Sequence, residues 1–404
     1  MRVGILTFHY SANYGANLQS LATYSALKKL GADPVILDFR DPLKVANINR
    51  IISPEQVPLH EVYMQEYMET SPYFEDEALM AEWIKANCDA VVVGSDAVFR
   101  LGEGFNPKAI INRLLGRGQE YAGFKHDTIV PPYFLNWERD GDLPVKASLA
   151  PSSRMTKHWY LRPSVKRTIG KSLQEFDIIS TRDEWSANLV KAVTGGRKTA
   201  EVCDDPLFTL DRNFDLPPLS ERHGDLSKKV LLTGKYPAEW VQSMQKALEK
   251  RGMGIVTLPN PEAEFHYEGI DGVLKLPMGA SDWYQAIKAS AGYIGPRIHA
   301  IIAALATKTP FLCVDPLKSF KMAEYDAYYD LLKRAGGTER FFLLSNLVEL
   351  DPERGCELMF DSPETQAACD AYAVKAADDV ENLLARVIAL VNERKAAKDS
   401  GAAG

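Results

Sequence analysis

The stretch Gly295-Pro296-Arg297-Ile298-His299-Ala300 stands between two apolar runs, Ala291 to Ile294 and Pro310 to Val314. Both runs have the length and composition of buried strands. Between them, apolar residues recur at helical spacing from Ile298 to Leu305. The pattern therefore predicts a strand–helix–strand unit of the kind that builds a parallel sheet.

The residues at the start of this helix predict an anion-binding site. Pro296 suits the first helical turn, where its missing N–H costs nothing, so Arg297 and His299 are expected in that turn. Free backbone N–H groups and the helix dipole attract a phosphate or carboxylate there. A guanidinium adds a bidentate clamp, and an imidazole adds a proton carrier. A purely structural role as a hydrogen-bonded helix histidine also stays open for His299.

The composition of the chain is that of an ordinary globular enzyme with two domains. Its 404 residues exceed one compact core, and 46% are hydrophobic and 25% charged. The net charge of −7 argues against nucleic acid as a partner. The five cysteines form no C-x-x-C pair, which is typical of reduced thiols in the cytoplasm. We expect neither a signal peptide nor a transmembrane segment, because no apolar run approaches about 18 residues.

The alternation of strand and helix patterns indicates two α/β domains. Residues 1–215 form the first domain, with an insertion at about 102–132 that breaks the alternation. A segment rich in Pro, Asp, Arg and Ser then leads to a second domain at 228–360. A long amphipathic helix is predicted over 365–394, followed by a flexible tail at 395–404. The predicted fold is α/β, with two Rossmann-like domains facing a cleft (GT-B-like) and a long C-terminal helix.

Two polar loops follow predicted strands and therefore fall at the edge where such sheets bind ligands. Ser95 and Asp96 follow the strand at 89–93, and Asp96 suits either catalysis or a helix N-cap. The loop from His9 to Asn17 offers further hydrogen-bonding groups, although Gly15 also suits a simple turn. The seven histidines show no paired spacing, so no metal site is expected.

Six segments resemble motifs of the polysaccharide pyruvyl transferase family, in the same order along nearly the whole chain. They are Asn13-Tyr14-Gly15-Ala16-Asn17-Leu18-Gln19 (family N-Y-G-A-x-L-Q), Val93-Gly94-Ser95-Asp96-Ala97-Val98-Phe99 (V-G-S-D-Q-V-W), Ala147-Ser148-Leu149 (A-S-F), Ile179-Ser180-Thr181-Arg182-Asp183-Glu184 (I-S-V-R-E-E), Asp205-Pro206 (D-P) and Arg297-Ile298-His299-Ala300 (R-x-H-G). The chain departs from the family at Ala97, Phe99, Arg100 and Ala300, where Gln, Trp, Asn and Gly are usual. These departures lie beside the expected cleft, so the acceptor could differ from the family's usual sugars.

The resemblance implies a transferase that moves a pyruvyl group from phosphoenolpyruvate to a sugar and forms a ketal. The donor-binding motifs of the family correspond here to Arg182, Arg297 and His299. The N-terminal domain is then the acceptor side and the C-terminal domain the donor side. A plain ion pair with Asp183 or Glu184 is the competing interpretation of Arg182.

Ketal chemistry requires an acid, a base and stabilisation of an anion. His299 is the candidate acid for the methylene carbon or the departing phosphate, and Asp96 is the candidate to orient or deprotonate the sugar hydroxyl. The expected acceptor contacts are His9, Asn13, Tyr14, Gly15, Asn17 and Ser95. Phosphoenolpyruvate serves as a co-substrate, and the scheme needs no metal and no further cofactor.

Two other functions stay open. A GT-B nucleotide-sugar glycosyltransferase would use Arg297 and His299 to hold a diphosphate, and a non-catalytic protein would bind a glycan or an anion. The acceptor is expected to be a sugar or a lipid-linked oligosaccharide. A lipid-linked acceptor would bring a cytoplasmic protein to the inner face of the membrane.

Overall fold

The N-terminal half of the protein is built on a parallel sheet with the strand order β2-β1-β3-β4. The computed structural model describes residues 1–41, 45, 50–114, 130–139, 141–315, 327–343 and 350–401. The strands are β1 (Arg2–Leu6), β2 (Asp33–Ile36), β3 (Ala90–Val93) and β4 (Val145–Ser148). A bridge between Ala147 and Ile178 continues this sheet towards a further parallel pair. That pair is β5 (Ser180–Thr181) and β6 (Glu201–Val202).

Both faces of the first sheet are buried, as an all-parallel sheet requires. In β3, Val92 packs in one apolar core while Val91 and Val93 pack in another, because successive side chains point to opposite faces. The helices of this half are α1 (Tyr14–Lys29), α2 (Val57–Tyr67), α3 (Glu77–Asn87), α4 (Pro107–Leu114), α5 (Pro163–Gln174) and α6 (Glu184–Val193). Helix α4 falls within the expected insertion, of which residues 115–129 lie outside the described part.

The second half is built on another parallel sheet, with the order β12-β11-β10-β7-β8-β9. Its strands are β7 (Lys229–Leu232), β8 (Gly254–Thr257), β9 (Gly272–Val273), β10 (Gly292–Gly295), β11 (Phe311–Asp315) and β12 (Phe341–Leu343). Its helices, after the short α7 (Leu210–Asn213), are α8 (Ala238–Glu249), α9 (Ala280–Ala289), α10 (Ile298–Ala306), α11 (Ala327–Ala335), α12 (Pro352–Phe360) and α13 (Pro363–Gly401). Counted from β7, this is the Rossmann strand order, which confirms the predicted fold class.

The chain between the two sheets is packed, not extended. Leu207 and Leu210 are fully buried, in the same apolar core as Leu18 of α1 and Ala304 of α10. Asp205 caps the short 3-10 helix at Pro206–Thr209 by accepting a hydrogen bond from the Leu207 N–H. The two domains therefore share apolar packing at this segment, and the loops at their sheet edges are brought close together.

The C-terminal helix α13 runs beyond the predicted end at residue 394. Helical structure continues through the predicted tail from residue 395 as far as Gly401, while residues 402–404 lie outside the described part. Arg394 Nη2 lies 2.7 Å from Asp177 Oδ1, and Lys395 Nζ lies 2.7 Å from Asp89 Oδ1. These ion pairs anchor the helix on the N-terminal domain. None of the helices in the described ranges combines the length and apolar character needed to cross a bilayer.

Candidate active site

The candidate site lies where both sheets reverse their strand order. The first sheet reverses between β1 and β3, and the second between β7 and β10, and open α/β sheets bind ligands at such points. The loop after β1 leads to Gly15, and the loop after β3 carries Ser95 and Asp96. The connection after β10 leads to His299, which touches Gly15. The loops predicted from the sequence therefore face one another between the two domains.

The buried carboxylate of Asp205 is the hub of this site. Its Oδ2 atom accepts hydrogen bonds from Ser95 Oγ at 3.1 Å and from Arg182 Nη1 at 3.0 Å. The same oxygen lies 3.7 Å from Nε2 of His299. Asp205 is 1% exposed, so its charge is balanced by these neighbours and not by water. Three residues predicted for the site thus converge on Asp205, which the sequence marked through the D-P motif without assigning it to the site.

Arg182 brings a buried positive charge to the cluster. Burial lowers the pKa of its guanidinium, but Asp205 and Asp96 outweigh burial and the pKa is raised. The Nε atom of Arg182 is buried and has no hydrogen-bond partner among the described residues. Arginine retains its charge in proteins, so the Nε–H of Arg182 is still able to donate a hydrogen bond to an anion.

His299 lies on the second domain and faces Arg182. Its Nε2 is 3.5 Å from Arg182 Nη1 and 3.7 Å from Asp205 Oδ2, so this nitrogen faces both a donor and an acceptor. Burial lowers the pKa of His299 below its usual value, and the charges of Asp96 and Asp205 only partly offset that effect. A bound anion would add negative charge and raise the pKa again.

Gly15 makes room for this imidazole. A Cβ atom added at Gly15 would lie 2.2 Å from Cγ and 2.3 Å from Nδ1 of His299. No side chain fits there unless the ring moves. The glycine of the N-Y-G-A motif is therefore required by the histidine of the other domain, and a turn alone does not explain it.

Asp96 is buried near the same cluster. Its φ of 69° lies in the left-handed region, and Oδ1 accepts a hydrogen bond from the Ala97 N–H at 2.7 Å. Burial raises the pKa of Asp96, but the charges of His299 and Arg182 outweigh it and the pKa is lowered. No helix begins there in the described chain, so the N-cap alternative is wrong. Asp96 is an ionised group held in an uncommon backbone conformation, as residues at functional sites often are.

Arg297 occupies a different environment. Helix α10 begins at Ile298, so the prediction of the first turn is right for His299, whereas Arg297 is the N-cap residue and Pro296 precedes it. Its side chain is 40% exposed and forms an ion pair with Glu262. The structure therefore places Arg297 outside the Asp205 cluster that holds Arg182, at the rim of the site.

The loop after β1 is held by its own buried network. His9 Nε2 lies 2.9 Å from Asp38 Oδ1, and its Nδ1 lies 3.2 Å from the Thr7 carbonyl. Arg40 Nη2 donates to the other oxygen of Asp38 at 2.8 Å. His9 is 1% exposed and both of its ring nitrogens are engaged in this arrangement, so its expected contact with an acceptor stays a prediction. His9 instead fixes the shape of the loop.

Asn17 is likewise engaged on both sides of its amide. Its Nδ2 donates to the His9 carbonyl at 3.2 Å, and its Oδ1 accepts from His60 Nδ1 at 2.7 Å. Burial lowers the pKa of His60 to about 4, which keeps that ring neutral. Asn13 caps α1, because its Oδ1 accepts from the Gly15 N–H at 3.1 Å. Asn17 and Asn13 therefore position the loop, and the expected acceptor contact of Asn17 stays a prediction.

Tyr14 and Ser95 are buried rather than presented to a cleft. The Tyr14 ring packs between His60 and Trp283, with centroid distances of 5.6 Å to each. Its hydroxyl is buried and has no partner among the described residues. Ser95 Oγ lies 3.0 Å from the Ala150 carbonyl and 3.1 Å from Asp205 Oδ2, and its single proton is directed at these two acceptors. Ser95 thus belongs to the Asp205 cluster, and Tyr14 to the contact between domains.

Arg334 of α11 supports the cluster from behind and is absent from the sequence prediction. Its guanidinium binds the carboxylate of Asp204 and the hydroxyl of Tyr372, and its Nη2 donates to the Arg182 carbonyl at 3.1 Å. It therefore ties together the two chain segments that present Arg182 and Asp205. The D-P motif pointed to Asp205, but nothing near Arg334 in the sequence signals its partners. In the described ranges, no three His, Cys, Asp or Glu side chains group as metal ligands.

Comparisons with known proteins match this architecture. A model of the polysaccharide pyruvyl transferase family matches residues 13–318. No curated protein matches the chain. The UDP-GlcNAc 2-epimerase from Neisseria meningitidis, bound to UDP-GlcNAc, aligns over 97% of this chain and 100% of its own, with 9% identity and a TM-score of 0.53. The glycosyltransferase SnogD from Streptomyces nogalater aligns over 97% and 99%, with 14% identity and a TM-score of 0.46. The likeness to the epimerase concerns the fold alone, which is GT-B-like.

Proposed function

Because the chain belongs to the polysaccharide pyruvyl transferase family, we propose that it moves a pyruvyl group from phosphoenolpyruvate to a sugar of a polysaccharide or glycan precursor. The observation that carries the proposal is the buried Arg182, with an unpartnered Nε, 3.5 Å from the imidazole of the other domain. Phosphoenolpyruvate carries a phosphate and a carboxylate, and guanidinium groups bind both through charged hydrogen bonds. The five cysteines are buried free thiols, which fits a cytoplasmic reaction.

Arg182 and Arg297 bind the donor from two directions in this proposal. Arg182 is fixed by Asp205 at 3.0 Å and contacts the donor anion first. Arg297, half-exposed at the N-cap of α10, exchanges Glu262 for the second anionic group. The N-terminus of α10 adds its free N–H groups to the anion site. The donor then lies between the domains, next to His299.

The reaction proceeds by protonation, attack and departure of phosphate. His299, protonated once the donor anion is bound, gives a proton to the methylene carbon, and positive charge develops at C2. A sugar hydroxyl attacks C2 and releases its proton to Asp96, which is ionised and buried beside the cluster. The C2–O bond to phosphate breaks and phosphate leaves with the proton held by Asp96, and a second hydroxyl closes the ketal and returns its proton to His299. One donor and one sugar diol thus yield one ketal and one phosphate.

Nucleotide-sugar transfer is the competing function, because the epimerase of the same fold carries UDP-GlcNAc. The test is a screen of glycan precursors with phosphoenolpyruvate, in which released phosphate is measured and the product is examined for a ketal. We expect phosphate release that depends on a sugar with two suitably spaced hydroxyls, and loss of release in His299→Asn. Release of UDP from a UDP-sugar, with no phosphate released from phosphoenolpyruvate, would overturn the proposal.

A further inference from the structure

Exposed apolar side chains concentrate on one part of the N-terminal domain. Half of the ten large hydrophobic side chains that are exposed in the described part of the chain lie in two short segments: Phe105, Ile110, Ile111, Met155 and Trp159. The two segments adjoin, because the Phe105 N–H donates to the Tyr160 carbonyl at 3.0 Å. Exposed apolar residues are normally scattered, and a contiguous group marks an interaction surface.

The same surface carries a local excess of positive charge. Residues 151–174 contain six basic residues and no Asp or Glu, in a chain whose net charge is −7. The six are Arg154, Lys157, Arg162, Lys166, Arg167 and Lys171. Arg154, Arg167 and Lys171 are exposed, and Lys157 and Lys166 are half-buried. We call residues 105–111 and 154–171 together the basic aromatic face.

We propose that the basic aromatic face binds the surface of an anionic phospholipid bilayer. Trp159 and Tyr160 have the amphipathic rings that favour the boundary between headgroups and acyl chains, and Trp159 is 47% exposed. Lysines and arginines around them attract anionic headgroups. The aliphatic Met155 and Ile111, 50% and 54% exposed, suit shallow insertion into the bilayer.

The basic aromatic face lies near the candidate site, so bilayer binding there would affect access of a substrate to the site. The charge of Arg154 acts on both Asp96 and His299, so the edge of the face lies within electrostatic reach of the site. A bilayer held there would bring a lipid-carried sugar towards the Asp205 cluster. Bilayer binding itself does not depend on the donor chemistry, so the two proposals stand or fall separately.

The test measures co-flotation of the full-length protein with vesicles of phosphatidylcholine alone and with vesicles in which part of the phosphatidylcholine is replaced by the anionic phosphatidylglycerol. We expect binding only to the anionic vesicles, weakened by salt, and a blue shift of tryptophan emission that is lost in Trp159→Gln. Neutralising Lys157, Lys166 and Arg167 together to Gln should weaken binding about 100-fold, at about fivefold per charge.

Matched variants keep the test specific. Lys246, Lys333 and Lys398 are exposed elsewhere, and changing them together to Gln removes the same charge and should leave binding unchanged. Leu79→Gln, at a side chain 60% exposed, is the control for Trp159→Gln. Equal binding to neutral vesicles, equal loss in the controls, tighter binding of a single-stranded oligonucleotide, or a dimer that Trp159→Gln dissociates would each overturn the proposal.

Discussion

Arg182 and Arg297 have the same expected task but lie in different surroundings. Arg182 is 6% exposed and is fixed by the buried carboxylate of Asp205. Arg297 has a side chain that is 40% exposed, and its partner Glu262 is 35% exposed. Separating a buried ion pair is costly, whereas exposed pairs contribute little. One arginine is therefore set before the donor arrives, and the other can change partners when it does.

The largest effect should come from breaking the buried pair. We expect Arg182→Gln to lower the free energy of unfolding by about 3–5 kcal/mol, because the charge of Asp205 is left without its partner. The double variant Arg182→Gln/Asp205→Asn should regain most of that stability, since no buried charge remains. Donor kcat/KM should nevertheless stay roughly 1,000-fold low, as expected for two lost charged hydrogen bonds. Urea unfolding and phosphate release measure the two quantities, and recovery of activity in the double variant would refute the donor role.

Gly15→Ala tests the contact between the domains that holds the His299 ring beside Arg182. The added methyl group would push the His299 ring away from Arg182, and a displacement near 1 Å lowers kcat/KM by about 100-fold. Gly272→Ala is the matched control, because a Cβ atom there meets nothing within 4 Å. An active Gly15→Ala protein would show that His299 need not lie where the structure has it.

Arg297→Ala should weaken donor binding less and should not disturb folding. The loss of one charged hydrogen bond costs about 1.5–3 kcal/mol, so the Kd for phosphoenolpyruvate should rise roughly 10- to 150-fold. Because the Glu262 pair is exposed, the midpoint of urea unfolding should hardly change. Calorimetry of the variant against wild type gives the answer, and a large stability loss would contradict the contrast with Arg182.

The pH dependence should differ between the free and the donor-bound enzyme. Burial lowers the pKa of His299, and Asp96 and Asp205 offset this only in part. His299 must be protonated to act as the acid, so activity falls as pH rises through its pKa. A bound anion raises that pKa, and kcat should therefore fall at a higher pH than kcat/KM. Coincident limbs in the two profiles would argue against His299 as the acid.

Removing the charge of Glu262, which competes with the donor for Arg297, should have the smallest effect on donor affinity. Glu262→Gln frees Arg297 from its ion pair, so phosphoenolpyruvate should bind about two- to fivefold more tightly, the worth of an exposed pair. Glu357→Gln, at another exposed pair with Arg354, should leave donor affinity unchanged. Weaker binding in Glu262→Gln would mean that Glu262 orients Arg297 for the donor.

The sequence predicts the loops of the site better than their contacts. Strand ends, helical spacing and motif order place Asp96, Arg182 and His299 at sheet edges, because these are local patterns. The partners of those residues are tertiary. Glu262 lies 35 positions from Arg297, and Arg334 lies 152 positions from Arg182, whose carbonyl it binds. No local pattern encodes contacts of that separation.

The same limit explains why the loop after β1 and the C-terminal segment differ from what the local pattern suggests. In the sequence, His9 looks like an exposed polar residue. Asp38 follows helix α1 and strand β2 in the chain, and its carboxylate holds His9 in a buried hydrogen-bonded network. The polar composition after residue 395 suggests fraying, yet helix α13 continues to Gly401, and Lys395 forms an ion pair with Asp89. In both cases the contacting residue is distant along the chain and absent from the local pattern.

The most direct test of the central claim is calorimetric titration of phosphoenolpyruvate into the wild-type protein and into Arg182→Gln/Asp205→Asn, with UDP-sugars titrated in parallel. We predict that wild type binds phosphoenolpyruvate, that the folded double variant binds it at least about 100-fold more weakly, and that UDP-sugars bind neither. Undiminished donor affinity in the double variant, or binding of a UDP-sugar alone, would contradict an anion site organised by Arg182 and His299.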